Sequence, residues 1–140
     1  MADNLPGISA WLAHAALPNT PAALLLDVDG VWPTRQHDAV FSANTLHILS
    51  WLQVQQFFAQ LPGVLRPEGT LIVYGPFNYG GQFTSESNAA FDLWLKERGM
   101  HQGIRDFEAV DALARAAGLV LVEDCEMPAN NRCLVWRMRG

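Results

Sequence analysis

The 140-residue sequence is short of basic charge, of cysteine and of long apolar runs, and each shortage excludes something. Nine Lys and Arg stand against fourteen Asp and Glu, for a net charge of -5. Sequence-independent nucleic-acid binding depends on basic residues neutralising phosphates, so no nucleic-acid partner is expected. No stretch approaches the roughly 20 apolar residues that span a bilayer, and no basic segment followed by an apolar one opens the chain. Neither a membrane partner nor a signal peptide is expected. Two cysteines, Cys125 and Cys133, are too few for a disulfide framework, and reduced thiols in a cytoplasmic protein are the default. His14, His37 and His101 lack the spacing of a metal site, and Gly80-Gly81 is not followed by the Gly-Lys-Ser/Thr of a phosphate loop.

What is present reads as one globular domain over residues 1–140, half hydrophobic and 16% charged. Asp3 or Asn4 caps an expected helix from Pro6 to Ala16, with Ile8, Trp11, Leu12 and Ala15 on one face. The apolar run from Ala23 to Val28 has the pattern of a strand buried on both faces, closed by Asp29-Gly30. Asp38–Ser42 and Thr70–Tyr74 read as two more buried strands, the second preceded by an Arg66-Pro-Glu-Gly69 turn.

Between those two strands, Ser50 and Gln53 form a Ser-x-x-Gln capping box. The helix it opens places Leu52, Val54, Phe57, Phe58 and Leu61 inside and bends or ends near Pro62-Gly63. Two further helices are expected, from about Glu86 to Arg98 and after Asp106. Strands at Leu119–Cys125 and Arg132–Met138 follow, joined by too few residues for a parallel crossover. Alternation of this kind predicts an α/β sandwich with a mostly parallel sheet ending in an antiparallel hairpin.

That ending resembles the C-terminal half of the class I S-adenosylmethionine-dependent methyltransferase fold. Leu26-Asp27-Val28 resembles the end of its third strand, Asp38–Ile48 its fourth strand and loop, and Leu65–Tyr74 its fifth. More narrowly, Phe41–His47, Tyr74–Tyr79, Gln82–Asn88, Gly103–Glu108 and Met127–Arg132 resemble the methyltransferase-like twenty-six type branch of that superfamily. The resemblance implies a partial Rossmann-like three-layer sandwich, S-adenosylmethionine as cofactor and a small-molecule acceptor. It does not identify the acceptor.

The family's first strand runs into a glycine-rich turn that approaches the cofactor's methionine part, and an acidic residue ends its second strand. Neither element precedes residue 23, so the chain reads as starting after the second strand. In the family's strand order, 3-2-1-4-5-7-6, that loss leaves open edges and an uncovered apolar face. The expectation is either closure within the chain or a homo-oligomer.

The resemblance and the carboxyl-edge rule for open α/β sheets together nominate site residues. Asp27 and Val28 would lie beside the adenine, although Asp27 is equally well read as a turn residue bonding its own backbone. Ser42, Ala43 and Asn44 would border the cofactor. His47 has the chemistry of a general base, or of a hydrogen-bonded structural histidine. Phe77, Asn78 and Tyr79 fall in a long aromatic and amide-rich loop, read either as a substrate lid or as packing. Asn130 and Asn131 suit a hairpin tip by backbone geometry alone.

Overall fold

A computed structural model describes residues 2–140, in two compact units, Met1–Trp32 and Pro33–Gly140. The first unit holds a 3₁₀ turn at Ala2–Asn4 and helix α1, Leu5–Ala15. Asn4 occupies the N-cap position with helical dihedrals and no side-chain bond, because the preceding 3₁₀ turn already supplies the entry. No residue of α1 is buried, so its apolar face of Ile8 and Trp11 contributes to no core.

Ala23–Val28 corrects the sequence expectation. These residues form no strand, and Leu24, Leu25 and Leu26 are exposed. The physical reason lies in the connection. Parallel pairing with the next strand needs a crossover of about a dozen residues. Only residues 29–36, with Pro33 among them, separate the segment from that strand.

The second unit is built on a four-stranded sheet. Its strands are β1 (His37–Ala43), β2 (Leu65–Gly75), β5 (Leu119–Met127) and β6 (Asn131–Met138), in the spatial order β1-β2-β6-β5. β1 and β2 are parallel; β2–β6 and β5–β6 are antiparallel. The α/β class holds, while the sheet is mixed, because only one parallel pair forms once Ala23–Val28 stays out. A second, two-stranded sheet joins β3 (Phe77–Asn78) to β4 (Arg105–Asp106).

Helix α2, Trp51–Val64, opens on the expected capping box: Ser50 Oγ accepts from the Gln53 N–H at 3.2 Å, and Gln53 Oε1 accepts from the Ser50 N–H at 3.0 Å. Val54, Phe57, Phe58 and Leu61 are buried as the periodicity required. Leu52 is exposed instead, since it sits on the opposite side of the helix. The Arg66–Gly69 turn is a bulge within β2, where a Cβ on Gly69 would stand 2.8 Å from the Arg66 carbonyl oxygen. Glycine is required there for close approach.

Leu71 and Val73 of β2 sit beside Trp136 and Leu134 of β6, and all four are buried on one face of the sheet. Helix α2 covers that face through Phe58, edge-on to Trp136 at 6.3 Å. Helix α4, Phe107–Ala116, covers it through Asp111, which accepts from Trp136 Nε1 at 2.9 Å. On the other face Phe41, Ile72 and Val135 lie side by side across three strands, and Phe41 is 66% exposed. β1 also has no neighbour on its outer edge.

Candidate functional site

In open α/β sheets ligands collect at the carboxyl ends of parallel strands. Here those ends are Ser42–Asn44 after β1 and Gly75–Pro76 after β2. Asn44 takes a left-handed backbone, φ 52°, and donates its N–H to the Tyr74 carbonyl at 2.8 Å, which ends β1 sharply. Thr45 carries the following turn, its carbonyl accepting from the N–H groups of Ile48 and Leu49. This turn brings His47 back beneath the sheet edge, buried and edge-on to Phe91 at 5.4 Å. Arg105 holds the segment from below, its guanidinium donating to the carbonyls of Leu46, Leu49 and His101.

Helix α3, Glu86–Arg98, supplies the facing wall. Ser85 caps it by accepting from the Asn88 N–H. Asn88 Nδ2 donates to Thr84 Oγ1 and to the Asn130 carbonyl, tying the β5–β6 hairpin tip to the start of α3. Asn130 Nδ2 returns a bond to Ser87 Oγ at 3.1 Å. Between these parts lies a pocket of about 540 Å³, bordered by Asn44, His47, Phe91, Trp94 and Asn130 among others. A second pocket, about 420 Å³, shares Asn130 and Asn131 with it and is lined also by Tyr79, Glu126 and Arg132. The described residues hold no group of three or more His, Cys, Asp and Glu placed to bind a metal.

The nominated residues therefore divide. Asn44 and His47 meet in the larger pocket. Ser42 is half-buried and Ala43 exposed at the end of β1. Asp27 and Val28 lie in the first unit, where Asp27 Oδ1 accepts from the Asp29 N–H at 3.1 Å and Asp27 O accepts from the Gly30 N–H. This is the geometry of the turn reading. Phe77 and Asn78 are buried in β3 and border neither pocket. Asn78 Oδ1 is left without a hydrogen-bond partner.

Tyr79 stacks on Phe107 at 5.1 Å and donates its hydroxyl to Asp124 Oδ2 at 2.8 Å. Burial, and then Asp124, pushes the phenol well above its ordinary range, which keeps it protonated. Sequence reasoning missed Phe91 and Trp94 as pocket residues, since their helical spacing also fits a core face. The signal was available in α3's weak amphipathicity, with Leu93 and Trp94 both exposed.

Burial, and then the positive charge of Arg105, pulls the His47 imidazole below its ordinary pKa of 6.5. The folded state thus binds this proton less readily than the unfolded chain. By linkage, the contribution to stability is complete above pH 6.5 and shrinks as pH falls from there toward the lowered folded value. Urea melts between pH 7.5 and 5 are expected to show a loss of stability at the acid end that is smaller in His47→Phe. An equal loss in both proteins would remove His47 as its source.

A strand order of β1-β2-β6-β5, with one face covered by α2 and α4, reproduces the last four strands of the class I methyltransferase order. The α/β fold is similar to part of the class I S-adenosylmethionine-dependent methyltransferase fold, as the solved structures it resembles show. Mitomycin 7-O-methyltransferase MmcR superposes with a TM-score of 0.77 at 18% identity, over 92% of this chain and 37% of that one. The S-adenosylmethionine-dependent methyltransferase SibL, in its apo form, gives 0.75 at 20% identity, over 94% and 39%.

A pericyclic reaction enzyme gives 0.73 at 16% identity, over 96% and 35%, so the likeness defines a scaffold and leaves the chemistry open. The chain spans 35–39% of the length of these proteins. The protein belongs to the family described as "Protein of unknown function (DUF938)", whose model matches residues 1–138.

The residues described do not fit the whole cofactor. Asp27's carboxylate is turned to its own backbone, and Ala43 and Asn44 stand at an edge that faces no second strand. Among the described residues, no glycine-rich turn follows β1 or β2, the parallel strands of the four-stranded sheet; the Gly80-Gly81 turn follows the short β3 instead.

Proposed function

We propose that this chain is the acceptor-side part of an S-adenosylmethionine-dependent methyltransferase acting on a small molecule, catalytically silent by itself. The observation that carries the reading is the open outer edge of β1 beside the carboxyl-end residues Ser42, Ala43 and Asn44. In the class I order the strands that grip the cofactor pair at that edge. Adding them would place a donor next to the His47 pocket. Methyl transfer depends chiefly on aligning a nucleophile with the sulfonium methyl group, so an enzyme lacking the donor's cradle loses the reaction.

A cytoplasmic setting belongs to the same proposal, supported by Cys125 and Cys133, which are free thiols although directly opposite one another in the hairpin.

Incubation with methyl-labelled S-adenosylmethionine and a panel of small hydroxyl and amine acceptors is expected to give no labelled product from this chain. A chimera that places a class I strand, glycine-rich turn, helix and strand ahead of Pro33 is expected to bind the donor. Turnover by the chain alone removes the claim of silence. A folded chimera that fails to bind removes the methyltransferase reading.

A second reading, a non-catalytic binding or homo-oligomerisation module, is favoured by the same free edge and by the exposed Phe41 stripe. Unpaired edges template pairing with another chain. Its signature is concentration-dependent assembly without cofactor affinity.

A further inference from the structure

The larger pocket carries a ligand assignment that the fold does not supply. Its lining includes no Asp, Glu, Lys or Arg; Arg98, whose guanidinium lies over the Trp94 ring at 4.6 Å, is not itself a lining residue. An ion taken out of water without a counter-charge is strongly disfavoured. Arg105, the cation nearest His47 in the chain's electrostatics, is occupied by three carbonyl groups.

The apolar part of the lining is planar and aromatic. Phe91 stacks on Trp94 with ring centres 5.6 Å apart and 20° between planes, and Trp94 remains 48% exposed. Ile48 stands on the pocket's other border, itself part-exposed. Flat rings favour offset stacking or edge contacts with such a surface.

The polar part is selective. Asn88 Nδ2 has both its N–H groups engaged, by Thr84 Oγ1 and the Asn130 carbonyl, while the Nδ2 groups of Asn130 and Asn131 each hold one bond, to Ser87 Oγ and the Pro128 carbonyl. Among the described residues, the side chains of His47 and Asn44 make no hydrogen bond, and both border the pocket. A neutral imidazole offers one acceptor nitrogen. On the pocket rim, Ala129 takes a left-handed backbone, φ 59°, which side chains other than asparagine and aspartate rarely adopt. Such conformations in residues other than glycine gather at functional sites.

We propose that this pocket binds an uncharged, planar aromatic compound bearing a hydroxyl group, its ring against Phe91 and Ile48 and its hydroxyl donated to His47. The assignment deepens the methyltransferase reading by naming an acceptor class, and it rests on that reading only for its catalytic meaning. The binding itself needs no methyl donor. His47 stays neutral in this setting, because burial disfavours its charged form.

The test titrates 2-naphthol, naphthalene and 2-naphthoate into the full chain without cofactor, following the His47 ring signals by NMR. The expected result is saturable binding of 2-naphthol, about tenfold tighter than either control, as one hydrogen bond of ordinary strength provides. The His47 ring resonances move with 2-naphthol. His47→Phe, which keeps the ring and loses the acceptor, is expected to bind naphthol and naphthalene alike. Should that variant unfold, the wild-type His47 shifts decide the matter.

Equal affinity for the three probes, unmoved His47 signals, or no saturable 2-naphthol binding would each overturn the assignment. Naphthol binding without methylation by a completed enzyme leaves this site standing and sinks the methyltransferase reading alone.

Discussion

Replacing Trp136 by alanine is expected to remove a large share of the stability of the Pro33–Gly140 unit, roughly 3–5 kcal/mol. Trp136 is fully buried and joins three elements at once. It sits in β6 beside Leu71 of β2, meets Phe58 of α2 edge-on at 6.3 Å, and donates to Asp111 of α4 at 2.9 Å. Truncating a buried tryptophan costs roughly 3–5 kcal/mol, against a total of about 5–15 kcal/mol for an ordinary domain. A urea melt should show the midpoint falling by on the order of 2 M, given an m-value of about 1–3 kcal/mol/M.

Trp136→Phe separates the packing from the hydrogen bond. It keeps an aromatic ring against Phe58 and leaves Asp111 Oδ1 without its indole donor, while Arg115 still pairs with Oδ2 at 2.8 Å. Its loss should be about 1–3 kcal/mol, the usual cost of one orphaned buried polar atom. If the alanine variant melts with the wild type, the sheet is not held to its helices through this residue.

Local signals carried much of this fold. The Ser50–Gln53 capping box, the buried face of α2, the end of α3 near Gly99 and the antiparallel β5–β6 hairpin were all legible, because each is set by neighbours in sequence. Ala23–Val28 was not. Its composition is that of a buried strand, but burial needs a partner, and apolar pattern cannot say whether one is within reach. The same limit applies to Leu52, whose place in the helix repeat is ambiguous until the covering face is known.

Asn44 and His47 were nominated through the carboxyl-edge rule, and both border the larger pocket. Phe91 and Trp94 were not nominated, since the i, i+3 spacing of aromatics looks alike whether it faces a core or a pocket. Phe77 and Asn78 fall in a loop long enough to suit a lid, yet pair with Arg105 and Asp106 as a short buried strand. That pairing spans 28 residues of sequence and leaves no local trace.

The central claim is that this chain carries the acceptor side of a methyltransferase fold and cannot hold the methyl donor alone. S-Adenosylmethionine would be left with the end of β1 and a turn whose one acidic candidate, Asp27, bonds its own backbone. A micromolar site corresponds to about -8 kcal/mol and a millimolar one to about -4 kcal/mol, so on this proposal the chain is expected to fall short of a micromolar site by about 4 kcal/mol or more. Calorimetric titration of S-adenosylhomocysteine into the purified chain tests this most directly. The account predicts no saturable heat at millimolar ligand. Micromolar, stoichiometric binding would contradict it, because the carboxyl-edge residues present would then suffice to build the cofactor site.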